Sequence, residues 1–130
     1  MTVTKSEQSY KQWREANPHL TEFMNFLPHL NKESDRGQAL ISACFLEEQL
    51  RKVLVAFVAD VPIAKDFTEG PNAPFGTFIA RTNAAYALGL ISEIEFRDLK
   101  LVRKIRNEFA HRVHVSFADK NITEWCSQFG

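Results

Sequence analysis

The sequence predicts an all-α protein, a single helical bundle of about five to six helices with one long loop containing Pro and Gly. Three observations carry this. Apolar residues recur with a period near 3.6 along most of the chain. The five Gly and five Pro sit mostly in two places, too clustered for the many turns of an all-β fold. At 130 residues and 14.9 kDa the chain is long enough to bury a core without disulfide or metal staples, so one domain over residues 1–130 is expected.

The first element is a short polar helix over 6–16, ended by Asn17-Pro18, because the residue before a proline is pushed out of the helical region. Pro18 suits the first turn of a new helix. That helix, 19–30, offers Leu20, Phe23, Met24, Leu27 and Leu30 at helical spacing. Ser34 or Asp35 then caps a long scaffold helix of about six turns, with Leu40, Ile41, Cys44, Phe45, Leu50, Val53, Leu54, Phe57 and Val58 as its apolar set. Glu47 and Glu48 interrupt that face and are candidate partners for an arginine from another helix.

From Asp60 to Gly76, the residues Pro62, Gly70, Pro71, Pro74 and Gly76 predict the one substantial loop. A helix over 77–88 follows, with Phe78, Ile79, Ala84, Ala85 and Leu88 for packing, and Gly89 ends it in the left-handed conformation that glycine adopts without strain. Ser92 with Glu95 three residues on is a capping box. It opens a helix whose stripe is Phe96, Leu99, Val102, Ile105, Phe109 and, at its edge, Ala110. Val113, Val115 and Phe117 alternate too briefly to require a sheet. A short last helix over 119–128 is expected to pack Ile122, Trp125 and Phe129 back on the bundle. The abrupt end at Gly130 leaves room for a chain that continues further.

Composition excludes several classes. Lys plus Arg equals Asp plus Glu at 16 each, which is not the global basic excess of a dedicated nucleic-acid binder. The N-terminal residues have no apolar signal core, and no stretch of ~18 uncharged apolar residues marks a membrane span, so a soluble, cytoplasmic protein is expected. Cys44 and Cys126 lack metal-site spacing and read as reduced thiols, Cys44 in the core. There is no phosphate loop, His-Glu-x-x-His or nucleophile elbow. No cofactor and no metal are expected, and the four histidines, His19, His29, His111 and His114, lack ligand spacing.

The polar cluster that remains is Glu47, Glu48, Arg81, Arg103, Arg106, Asn107 and His111. Arg103, Asn107 and His111 lie one helical turn apart with Arg106 beside them. Arg106-x4-His111 suits metal-independent RNA cleavage, since an imidazole transfers protons near neutral pH and a guanidinium holds a phosphate. The architectural reading is that His111 closes its helix by bonding nearby carbonyls while Arg103 or Arg106 pairs with Glu47 or Glu48. Arg97, Lys100, Arg103, Lys104 and Arg112 form a basic face, set against Glu93, Glu95, Asp98 and Glu108 on the same helix. A solvated, salt-bridged surface is the expectation there. The turn Pro74-Phe75-Gly76-Thr77-Phe78 either lines a pocket or plugs the core, with Arg81 as the polar residue beside it.

Several blocks in order resemble the mannitol operon repressor family: Glu33-Ser-Asp-Arg-Gly37, Leu46-Glu47-Glu48-Gln49-Leu50, Pro74-Phe-Gly-Thr-Phe78 with Arg81, Leu88-Gly-Leu-Ile-Ser92 with Glu95 and Asp98-Leu99, and Ile105-Arg-Asn-Glu-Phe-Ala-His111. They span roughly residues 33 to 117. The resemblance implies an all-helical transcriptional regulator in a bacterial cytoplasm, with a protein partner or homo-oligomer, and a link to sugar-alcohol uptake. The chain itself carries no DNA-reading motif. Arg106-Asn107 with His111 is also similar to the motif of the HEPN superfamily of helical RNases and RNA-binding domains, which implies Arg106, Asn107 and His111 as its site. Val113 stands where one toxin branch of that superfamily has a tyrosine.

Overall fold

A computed structural model describes residues 2–130. Among them it is all-helical, with seven helices and no strand: α1 (Lys5–Ala16), α2 (Pro18–Asn31), α3 (Asp35–Phe57), α4 (Val61–Thr68), α5 (Phe78–Ala87), α6 (Glu93–His111) and α7 (Lys120–Cys126). The chain divides into a shorter unit ending at Ser34 and a larger one, Asp35–Gly130.

The shorter unit is the pair α1 and α2, packed on each other. Thr4 and Glu7 form a capping box on α1, Thr4 Oγ1 accepting from the Glu7 amide and Glu7 Oε2 from the Thr4 amide at 2.8 Å. Asn17 Nδ2 donates to the Trp13 carbonyl, and Pro18 takes the first turn of α2, as its missing N–H allows. Neither helix has a buried residue, and Leu20, Phe23 and Met24 of the apolar set are exposed.

In the larger unit α3 packs against α4, α5 and α6, α5 also packs on α6, and α7 lies on α6. One core group joins Ala43, Leu50 and Leu54 of α3 to Phe78 and Ala85 of α5 and Leu99 of α6. A second joins Ala39, Ile105, Phe109 and Ile122, with Val115, Phe117 and Trp125 against it. Fully burying a side chain of this size is worth about 1.5–3 kcal/mol, so Phe109 and Ile122, both at 0 % exposure, anchor the far end of α6.

The ends of α5 and α6 follow the sequence reading. Gly89 has φ +71°; its amide donates to Tyr86 O and the Leu90 amide to Ala85 O, the paired bonds that close a helix on a left-handed residue. Ser92 and Glu95 form the expected capping box, Ser92 N donating to Glu95 Oε2 at 2.6 Å and Glu95 N to Ser92 Oγ at 3.2 Å.

Three expectations need correction. The segment after Asp60 is not all loop, because Val61–Thr68 is helical. Pro62 lies in its first turn, where a proline forfeits no hydrogen bond, and Asp60 Oδ1 accepts from the Ile63 amide at 3.1 Å. Cys44 is exposed, not core; Ala43 beside it takes the buried position, at 1 % exposure, because one residue is a rotation of about 100° around the axis. Phe129 is 41 % exposed and stands outside the second core group that Ile122 and Trp125 join.

Candidate functional site

The polar residues singled out by the sequence divide into two groups. The first centres on Arg81. Arg81 is only 8 % exposed, and its guanidinium donates from Nε to Phe75 O at 2.8 Å, from Nη1 to Glu47 O at 3.1 Å and from Nη2 to Thr68 O at 2.6 Å. Glu47 Oε1 lies 3.9 Å from Nη1. A buried cation is costly unless paired and hydrogen-bonded, and here one side chain ties α3, α4 and the turn before α5 together. Thr68, itself buried, donates to Ala64 O at 2.9 Å.

The turn around Phe75 is a core plug rather than a pocket wall. Phe78 is 3 % exposed, Phe75 packs on the first core group, and the Phe75 amide donates to Phe67 O at 2.7 Å. Gly76 sits at a close approach: a Cβ there would meet Ala73 O and Gly70 O, both at 3.1 Å, so the turn would have to give by a few tenths of an ångström. Thr77 caps α5, its Oγ1 accepting from the Ala80 amide.

Glu48 takes a partner in its own helix. Arg51 Nε donates to Glu48 Oε1 and Oε2, both at 3.0 Å, and this hydrogen bond holds the Glu48 carboxyl below its ordinary range and raises Arg51. The expected pairing of Arg103 or Arg106 with Glu47 or Glu48 is therefore absent among the described residues; Arg81 and Arg51 occupy those carboxylates. Arg106 instead lies over the Phe78 ring, 5.9 Å from its centroid, and donates from Nε to Asn107 Oδ1 at 3.0 Å.

The second group is the end of α6. Its closing bonds come from Arg36 on α3, which the sequence reading did not single out. Arg36 Nη1 donates to Phe109 O at 2.6 Å, and Nη2 donates to Arg112 O at 2.9 Å and Val113 O at 2.8 Å. Next to it, Asp35 Oδ2 accepts from the Phe117 amide at 3.1 Å. These bonds satisfy carbonyls that a helix end leaves without partners.

His111 does not close the helix by bonding carbonyls, as the architectural reading expected. It is exposed and makes no side-chain hydrogen bond or ion pair among the described residues. Five residues along an α-helix is a rotation of about 140°, so Arg106 and His111 point from different sides of α6. Asn107, one turn before His111 and bonded to Arg106, is their link.

The basic face is solvated as expected, but it carries fewer ion pairs than its spacing suggests. Glu95 accepts from Ser92 N, Asp98 Oδ1 from Gly130 N at 3.1 Å, and Glu108 pairs with Arg112 at 3.2 Å. Among the described residues Glu108 to Arg112 is the one ion pair on that face, and Arg97, Lys100, Arg103 and Lys104 have no carboxylate partner.

No group of three His, Cys, Asp or Glu among the described residues is arranged to hold a metal ion, and no helix is long and apolar enough to cross a membrane. Comparison with known proteins found no matching family model, no matching curated protein and no matching solved structure.

Proposed function

We propose that this chain is a bacterial cytoplasmic regulator of the mannitol-operon-repressor type that works through protein contacts, as a homo-oligomer or on a protein partner, without reading DNA sequence. The observation that carries this is what the family-like blocks do in the fold. Asp35 and Arg36 fasten the end of α6, while Glu47, Phe75 and Arg81 form the buried knot between α3, α4 and α5. The blocks thus account for a scaffold, with no reacting group among the buried members. The corner before α6 argues against a recognition helix, because Glu93 and Glu95 in the first turn would face phosphates. Deleting the gene should change transcription of a sugar-alcohol operon, and the purified protein should retain a partner or itself in solution. Unchanged transcripts would sink the regulatory reading.

A second reading, an HEPN-like ribonuclease or RNA-binding domain using Arg106, Asn107 and His111, is favoured by one observation. His111 is exposed with its nitrogens uncommitted, and Asn107 holds Arg106. Such an imidazole is free to act as acid or base. Incubation of wild type and His111→Ala with RNA decides it: cleavage by wild type alone supports the reading, and equal cleavage, or none by either, ends it.

A further inference from the structure

We propose that the outer face of α6 is a track for the phosphodiester backbone of a nucleic acid, with Arg97, Lys100 and Lys104 as its phosphate contacts. This goes beyond the regulatory reading and does not depend on cleavage at His111. The three residues line an open groove of about 600 Å³ together with Leu101 and Gln128. Spaced i, i+3 and i+7, they share one helix face, and all three are exposed. At 1.5 Å rise per residue the stripe covers about 10 Å, the length over which one strand of a duplex carries about three phosphates.

Two features set this stripe apart from an ordinary solvated lysine surface. Among the described residues no carboxylate of α6 forms an ion pair with the stripe: Glu95 accepts from the Ser92 amide, Asp98 from Gly130 N, Glu108 pairs with Arg112, and Glu93, exposed one turn before Arg97, pairs with none of the three. The ammonium groups are also held in place. Lys100 Nζ sits 4.7 Å from the centroid of Phe96, which is itself stacked on Tyr86 at 4.2 Å, and Lys104 Nζ sits 4.5 Å from that of the half-buried Trp125. Cation–π contact of this kind fixes where the charge stands without neutralising it.

The same geometry identifies the occupant. Both rings have a face covered by an ammonium, so they offer no free platform for stacking bases, and recognition falls on the backbone. Closely and regularly spaced anions are what three cations within about 10 Å match. Asn107 and His111 continue the same face, so a strand on the track runs toward His111.

The test is fluorescence anisotropy with a short labelled RNA and a DNA duplex of unrelated sequence, over about 50 to 200 mM salt. Wild type should bind both without sequence preference, its log affinity falling with log salt at a slope of about −2 to −3. The triple variant Arg97→Gln, Lys100→Gln, Lys104→Gln should lose about tenfold in affinity and most of that slope. A control with the same charge change, Lys5→Gln, Lys11→Gln, Lys65→Gln, should stay within about twofold. Far-UV circular dichroism checks the fold of both, and Lys100→Gln alone reports if the triple variant unfolds. No binding by wild type at low salt, equal losses in the two triple variants, or tighter binding to phosphatidylserine vesicles or polyglutamate would overturn the proposal.

Discussion

Arg81 and the cations of α6 carry the same charge in opposite circumstances. Arg81 is buried and saturated: each nitrogen of its fork has a carbonyl, and Glu47 stands beside it. Arg97, Lys100 and Lys104 are exposed, unpaired by carboxylates among the described residues, and two of them rest on rings. The difference follows from desolvation. A guanidinium removed from water must recover its hydrogen bonds from the protein, which leaves nothing for a ligand, whereas an exposed ammonium keeps its capacity. Charge inside this fold holds helices together, and charge on α6 is available for binding.

The contrast is broken most severely at Arg81. Arg81→Met leaves three carbonyls without their donor and should cost about 3 kcal/mol of unfolding free energy in urea, with a melting temperature lower by about 10 °C. Arg81→Lys should recover little of this, since an ammonium lacks the planar fork. A loss under about 0.5 kcal/mol in Arg81→Met would mean that the knot is not structural.

Arg36→Ala comes next. Two of its carbonyl acceptors, on exposed Arg112 and Val113, regain water while the third belongs to buried Phe109, so a loss of about 1–2 kcal/mol is expected, with faster hydrogen exchange at residues 112–117 than elsewhere. Uniform exchange across the chain would show that Arg36 does not fasten that segment.

The Glu48 to Arg51 pair is worth least, being half exposed. The Glu48 carboxyl is held below its ordinary value in the folded state, so its contribution is present above that value and lost as pH falls through the depressed one. Wild type should lead Glu48→Gln slightly in unfolding midpoint near neutral pH, and the lead should shrink and then disappear as the pH falls below the ordinary carboxylate range. A lead that grows on acidification contradicts the assigned direction.

Helix identity was legible where local chemistry decides it. Gly89, Ser92 and Glu95 mark the end of α5 and the start of α6 without reference to the rest of the chain, and the apolar period marks α3. The helix after Asp60 was hidden because Pro62, Gly70 and Pro71 read as breakers. Asp60 followed by a proline in the first turn was the signal that could have revealed it.

The polar partners were less legible. Arg36 bonds to carbonyls 73, 76 and 77 residues away, and a carbonyl acceptor leaves no side-chain signature in a sequence. Glu47 was a sound choice as the partner of an arginine from another helix, but the arginine was on α5, not α6. Which of several arginines reaches it depends on how α5 and α6 sit on α3, with Phe78 filling the space in front of Arg106. The basic face is solvated and carries the Glu108 to Arg112 pair, but helical spacing alone suggests more pairs between acids and bases than form. Caps and the chain near Gly130 take up Glu95 and Asp98 instead.

Urea unfolding of Arg81→Met and His111→Ala, side by side with wild type, tests most directly the division between a structural interior and an available outer face on α6. A fall of about 3 kcal/mol for Arg81→Met beside a change within about 0.5 kcal/mol for His111→Ala is the expected result. Comparable losses in the two would contradict it, because His111 would then be part of what holds the bundle together.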